Sequence, residues 1–307
     1  MTLHPHHYIA IKAQLGQTIT SETKKRDFNE KIQDWQVAYQ TYTGTATGSW
    51  SIDFRGVQYL LGIGQLLDAP QAMRQRALIN LEQMAYNPIC MVAHVGQPVT
   101  VTLEHRQFSG VAESDDTLMF NDWLNAFSLA LILRNTEHMQ VLHGLDEGVF
   151  AKNTAVLGPR DFYCAFMRLL KGLFTPGADL ARLLGDMITY SAPNYFYSEE
   201  SANAAYHLFL PVVELLGVVL SSERETRYQD AYTKALEAHR AWFTRTDMDH
   251  FYPEGWISLP ITAIASYCYH QYGLLPEFET DYTPLWMIKG EFMPESELPP
   301  LASFSEA

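Results

Sequence analysis

The stretch FNDWLNAFSLALILR, from Phe120 to Arg134, constrains the fold more than any other part of the chain. Trp123, Phe127, Ala130 and Leu131 recur at three to four residue intervals, so a helix here has an apolar face that other segments must cover. Arg134 lies eleven residues after Trp123, close to three full turns, and so projects from the same stripe. A guanidinium in that position either reaches past the end of the apolar face or pairs with a carboxylate, because burying it unpaired is costly. The phase predicts a partly buried, ion-paired Arg134. Asp122 is too near in sequence to share its face, which leaves Glu214 or Asp281 as the preferred partner.

Most of the remaining chain also has helical periodicity. Phe28, Ile32, Trp35, Ala38 and Tyr39 predict an amphipathic helix from about Glu22 to Tyr42, ended by the Gly and Thr cluster TYTGTATGS. Phe54 to Leu67 reads as a second helix, and Pro70 opens a third that runs toward Tyr86. Between Val99 and Val111 the period changes to two, which predicts a β-hairpin with its turn in Gln107 to Gly110. The acidic loop Glu113, Asp115, Asp116 then leads into the central helix. After Arg134, helices are expected near 136–142, 159–173, 178–190, 198–220, 227–243 and 260–272, the last ending at Gly273. Pro211 should kink or restart the 198–220 helix. The expected architecture is all-α, an irregular stack of antiparallel helix pairs with one small β-hairpin, forming a single domain over 1–307.

Several of these elements carry a resemblance. Asp122 and Trp123 opening a helix, followed by Ala126-Phe127, Leu129-Ala130 and Arg134, resemble the helix signature of the immunity protein 49 family, which protects bacteria against polymorphic toxins. The likeness continues through Pro211 to Leu220, Ala235-Leu236 with His239 and Trp242, then Gly255 and Leu259. It closes on ETDYTPLW, with Asp281, Tyr282 and Pro284, which looks like the family's acidic-Ser-Asp-Tyr-Leu-Pro ending with Thr280 for Ser and Thr283 for Leu. Order and spacing agree from about 95 to 290, with 1–94 expected as N-terminal helices packed on that region. The resemblance implies a protein that binds and neutralises the toxic C-terminal domain of a cognate bacterial toxin delivered in interbacterial competition. It implies no reaction.

Charge sharpens that expectation. The chain holds 21 basic and 35 acidic residues, a net of −14, and residues 246–307 alone contribute −9, with Lys289 as their only basic residue. Such a surface repels nucleic acid and membranes and attracts a basic protein, for which a nuclease is the natural candidate, although acids that serve only solubility give the same count. The candidate toxin-binding residues are therefore Asp247, Asp249, Glu254, Glu277 and Glu279, with Tyr252 and Trp256 as aromatic anchors if exposed beside them. The Glu291, Glu295 and Glu297 tail adds to the field.

Catalytic signatures are missing. No phosphate loop, nucleophile elbow or zinc-type Cys and His pairing occurs, and Cys90, Cys164 and Cys268 are spaced like small core residues. His4, His6 and His7 beside Pro5 read as a solvated terminus, and His239 as a hydrogen-bonded core histidine. Asp247, Asp249, His250 and Glu254 lack calcium-loop spacing, so neither metal nor cofactor is expected. With no apolar run near 18 residues and no leader pattern, the expected address is the cytoplasm. Two rivals remain: a helical scaffold for other cellular proteins, and an α/α enzyme in which Asp247, Glu254 and Asp281 converge on one cavity. Oligomeric state does not follow from the sequence.

Overall fold

The computed structural model describes residues 21–42, 50–113, 118–150, 160–246 and 252–301, with the side chains of 21–25 and 50–53 excluded. The N-terminal histidines, the Gly and Thr cluster from Thr43 on, Asp115, Asp116, Asp247, Asp249 and His250 lie outside these residues. The architecture is mainly helical with one two-stranded antiparallel hairpin. A continuous cluster of buried apolar side chains runs from Phe28 to Leu301.

Three helices form the N-terminal part: α1 (Ser21–Thr41), α2 (Trp50–Leu66) and α3 (Gln71–Ala93). In α1 the predicted stripe is buried at Phe28, Ile32 and Trp35, and it packs on α2. Pro70 caps α3, which continues past the expected end at Tyr86 and through Pro88 to Ala93. Proline removes one helical hydrogen bond, and burial of Met84, Ala85 and Tyr86 before that gap and of Ile89, Cys90 and Met91 after it holds the helix together.

Strands β1 (Pro98–Leu103) and β2 (Arg106–Val111) pair with Leu103 opposite Arg106, so the turn is Glu104-His105 and not the expected Gln107 to Gly110. Glu104 takes a left-handed φ of 52°. Tertiary contacts hold it there: its backbone N–H donates to Gln83 Oε1 at 2.8 Å, and its carboxylate accepts from Asn80 Nδ2 at 2.7 Å and from the Leu301 N–H at 3.1 Å.

The central helix α4 (Phe120–Leu133) has Trp123, Phe127 and Ala130 almost wholly buried, as its periodicity requires. Asp122 closes its N-terminus by accepting from the Met119 N–H at 2.8 Å, and Trp123 Nε1 donates to Leu142 O at 3.0 Å in the next helix, α5 (Thr136–Gly144). Then follow α6 (Arg160–Gly172), α7 (Leu180–Tyr190), α8 (Glu199–Ala204), α9 (Leu210–Leu220), α10 (Arg224–Trp242), α11 (Leu259–Tyr272) and the short α12 (Leu285–Lys289). Pairs α2–α3, α6–α7 and α9–α10 are joined by short loops, while α4 packs against α3, α11 and α12. Pro211 restarts its helix as predicted. A π-helical turn over Ala205–Phe209 precedes it and absorbs the missing N–H. The run Glu199–Leu220 is long and apolar enough to cross a membrane by length and composition, and half of its most apolar window is buried inside the protein.

Candidate functional site

Two of the acidic segments singled out above meet through a single core histidine. His239, on α10, is buried and donates from Nε2 to Gly255 O at 3.3 Å. Its ring packs edge-on against Tyr282, and the Ser258 N–H donates to Tyr282 O at 2.8 Å. The segment carrying Tyr252 and Glu254 is therefore stitched to the one carrying Glu277, Glu279 and Asp281. Burial lowers the His239 pKa to about 4, so the ring is neutral at pH 7 and serves as a structural donor.

On this frame Glu277 and Glu279 are exposed, as is Tyr252 at 48 %. Glu254 is half-buried and its Oε1 lies 3.2 Å from Arg55 Nε. Trp256 is not an anchor: it is completely buried, with its Cβ against Gly62 and its ring edge-on to Tyr59, because an indole gains more from the core than from a polar rim. Asp281 is half-buried and accepts from Gln65 Nε2 at 3.3 Å; burial raises its pKa, with Gln65 and Arg74 opposing the shift. Glu254 and Asp281 thus point to separate partners, Arg55 and Gln65. In the tail, Glu295 lies 3.2 Å from the buried Arg76 and Glu291 lies 3.5 Å from Lys289.

Arg134 departs furthest from expectation. It is exposed, and among the described residues no carboxylate pairs with it; Glu214 is taken by Lys234 and Asp281 by Gln65. The cause is its backbone. Helix α4 ends one residue earlier, so Arg134 becomes the left-handed C-cap at φ 57°, which swings the side chain off the Trp123 stripe. It donates instead to neutral acceptors: Nη2 to Gly290 O at 3.1 Å and Nη1 to His270 Nε2 at 2.6 Å, with the guanidinium 5.5 Å from the Phe292 ring centre.

Beside Arg134 a cleft of about 480 Å³ opens between the end of α4, α5 and α11. Leu131, Met139, Phe174 and Tyr267 form its apolar walls, and Arg134, His270 and the buried Ser266 bring polar atoms to it. Burial and the Arg134 charge lower the His270 pKa, so this imidazole is neutral and accepts the arginine proton at Nε2. Among the described residues no group of three or more His, Cys, Asp or Glu side chains is placed to hold a metal ion.

Residues 70–287 match the sequence model of the family described as Immunity protein 49. The chain belongs to the immunity protein 49 family. It is an immunity protein against a toxin. Comparison with curated proteins and with solved structures gave no match.

The residues on which the resemblance was noted mainly build the frame. Asp122 and Trp123 cap and anchor α4, Pro211 follows the π turn, Pro284 caps α12, and Tyr282 and His239 stitch the two loops. Trp242 is half-buried, with Arg245 stacked 3.4 Å from its ring centre. Reasoning from sequence missed the cleft residues Ser266, His270 and Phe174. One signal for them exists in α11, where Thr262, Ser266 and His270 form a polar stripe at four-residue spacing along an apolar helix.

Proposed function

We propose that this immunity protein acts by binding alone, covering the toxic domain of a basic cognate toxin in the cytoplasm of the producing cell, with the exposed acids of the C-terminal fifth forming the attracting face. The observation that carries this reading is the concentration of charge: residues 246–307 hold a net −9 of a total −14, and Glu277 and Glu279 stand exposed on a loop fastened to the Tyr252 and Glu254 segment. An acidic face of this kind complements the positive groove with which a nuclease holds phosphates. Nuclease toxins are therefore the favoured targets. Inhibition needs no reaction, since an occluded groove cannot admit nucleic acid.

Exposed carboxylates act mainly through long-range attraction, so neutralising them should slow association more than it speeds dissociation. The experiment replaces Asp247, Asp249, Glu254, Glu277 and Glu279 by their amides and follows binding to the toxin encoded beside the gene across a salt series. A loss of association rate that disappears at high salt is the expected result. Unchanged association at low salt, with full protection of cells, would reduce the acidic face to a solubility feature.

A further inference from the structure

The cleft beside Arg134 differs in kind from the acidic loops. Its arginine is fixed by Gly290 O and His270 Nε2, both neutral acceptors, so its orientation is set while its charge remains uncancelled by any described carboxylate. In a chain of net −14 a cation held this way on a concave wall marks a specific place for an anion. Partly exposed aromatics stand beside it: Phe174 is 39 % and Tyr272 38 % exposed, and Tyr267 lies between them with ring centres 6.1 and 6.4 Å away. Tyrosine and arginine around a pocket are the residue types that anchor protein interfaces. At the cleft floor the hydroxyl of Ser266 is buried without a hydrogen-bond partner among the described residues.

We propose that this cleft receives a protruding loop of the toxin domain, whose apolar or aromatic side chain fills the pocket while an adjacent carboxylate meets Arg134. The inference rests on the reading that this chain binds a toxin, and it names a second contact of opposite polarity to the first. Attraction between an acidic face and a basic groove brings the partners together without fixing their register. A single reversed charge beside an apolar plug does fix it.

Two measurements on the full chain test the proposal. In the first, 3-phenylpropionate and its amide are titrated separately while the Met139 methyl is followed by NMR. The acid is expected to shift Met139 saturably and to bind about 10-fold or more tighter than the amide, the usual scale for a charge-assisted contact. Equal binding of the amide would remove the role given to Arg134. In the second, the toxin domain encoded beside the gene is bound to the parent, Arg134→Gln, Gln271→Glu and Gln271→Lys. Gln271 is exposed and lines the cleft, so its variants change the local charge without disturbing the core. Gln271→Glu and Arg134→Gln are expected to raise Kd by about 10-fold or more, and Gln271→Lys to leave it unchanged or lower it. Equal affinity of parent, Arg134→Gln and Gln271→Glu would exclude the cleft from the interface and leave toxin binding itself standing. Saturation by 3-phenylpropionate with no toxin binding by the parent would overturn both, making the cleft a site for small carboxylates.

Discussion

The guanidinium of Arg134 lies against the backbone of Gly290, donating from Nη2 to its carbonyl at 3.1 Å, so closely that a Cβ on residue 290 would collide with it. Gly290 also sits at φ +67° as the C-cap of α12. The contact joins the end of the central helix to the C-terminal segment. Both the conformation and the close approach require glycine there.

Gly290→Ala should therefore lower stability by about 2 to 3 kcal/mol, combining the left-handed backbone penalty with displacement of the arginine. Arg134→Ala should cost only about 1 kcal/mol, because it removes hydrogen bonds to neutral acceptors and strands no buried carboxylate. Urea unfolding of both variants checks this. An Arg134→Ala loss as large as that of a broken buried ion pair would contradict the neutral-acceptor geometry.

The folded pKa of His239 is about 4, below its ordinary value of 6.5, with burial as the main cause. Between these values the unfolded chain binds a proton that the folded chain excludes. Its contribution to stability is thus complete above pH 6.5 and is lost as pH falls toward 4, by about 3 kcal/mol in total. His239→Gln keeps a donor for Gly255 O and does not titrate. Its denaturation midpoint should vary less between pH 7 and 5 than the parent's, and equal slopes would refute the assignment.

Arg76 and Glu104 hold the C-terminal segment onto α3 and the hairpin. Arg76 is wholly buried and donates to Leu298 O at 2.8 Å and Pro299 O at 3.1 Å, while Glu104 accepts from the Leu301 N–H. Glu104→Ala leaves Asn80 Nδ2 and the Leu301 N–H without their acceptor and should cost about 2 to 4 kcal/mol. Hydrogen exchange at Leu301 should accelerate in this variant before exchange in α4 does. Uniform acceleration would show that the segment does not open on its own.

Trp256 and Tyr252 separate the core from the proposed interface. Trp256→Ala should destabilise by about 3 to 5 kcal/mol, since it empties a fully buried indole site. Tyr252→Ala, at a half-exposed position, should change stability by less than about 0.5 kcal/mol and yet speed dissociation from the toxin. Thermal melts and dissociation rates on the same samples give the comparison.

Periodicity was enough to place most helices, because an apolar stripe at 3.6-residue spacing has few ways to leave water and each stripe here found a neighbour. Trp123, Phe127 and Ala130 were readable as core for that reason, as was the restart at Pro211. The Glu254, Glu277 and Glu279 segments were readable as an acidic group by composition alone. Their attachment to one buried histidine was not, since it joins loops of α10, α11 and the chain beyond through hydrogen bonds without any local pattern.

The sites where prediction failed share a cause. The hairpin turn moved to Glu104-His105 because Asn80, Gln83 and Leu301 capture Glu104, although the local residues favour a turn further on. Trp256 went into the core because Gly62 leaves room for it on α2, far away in sequence. Arg134 left its helical stripe because the helix ended one residue before it, and the left-handed backbone of the cap turned its side chain off that face. Family, helix content and net charge thus follow from local pattern, where each residue answers mainly to its neighbours. The cleft, the partners of Arg134 and the division of aromatics between core and surface follow only from the folded chain, where distant segments compete for the same backbone acceptors and the same space.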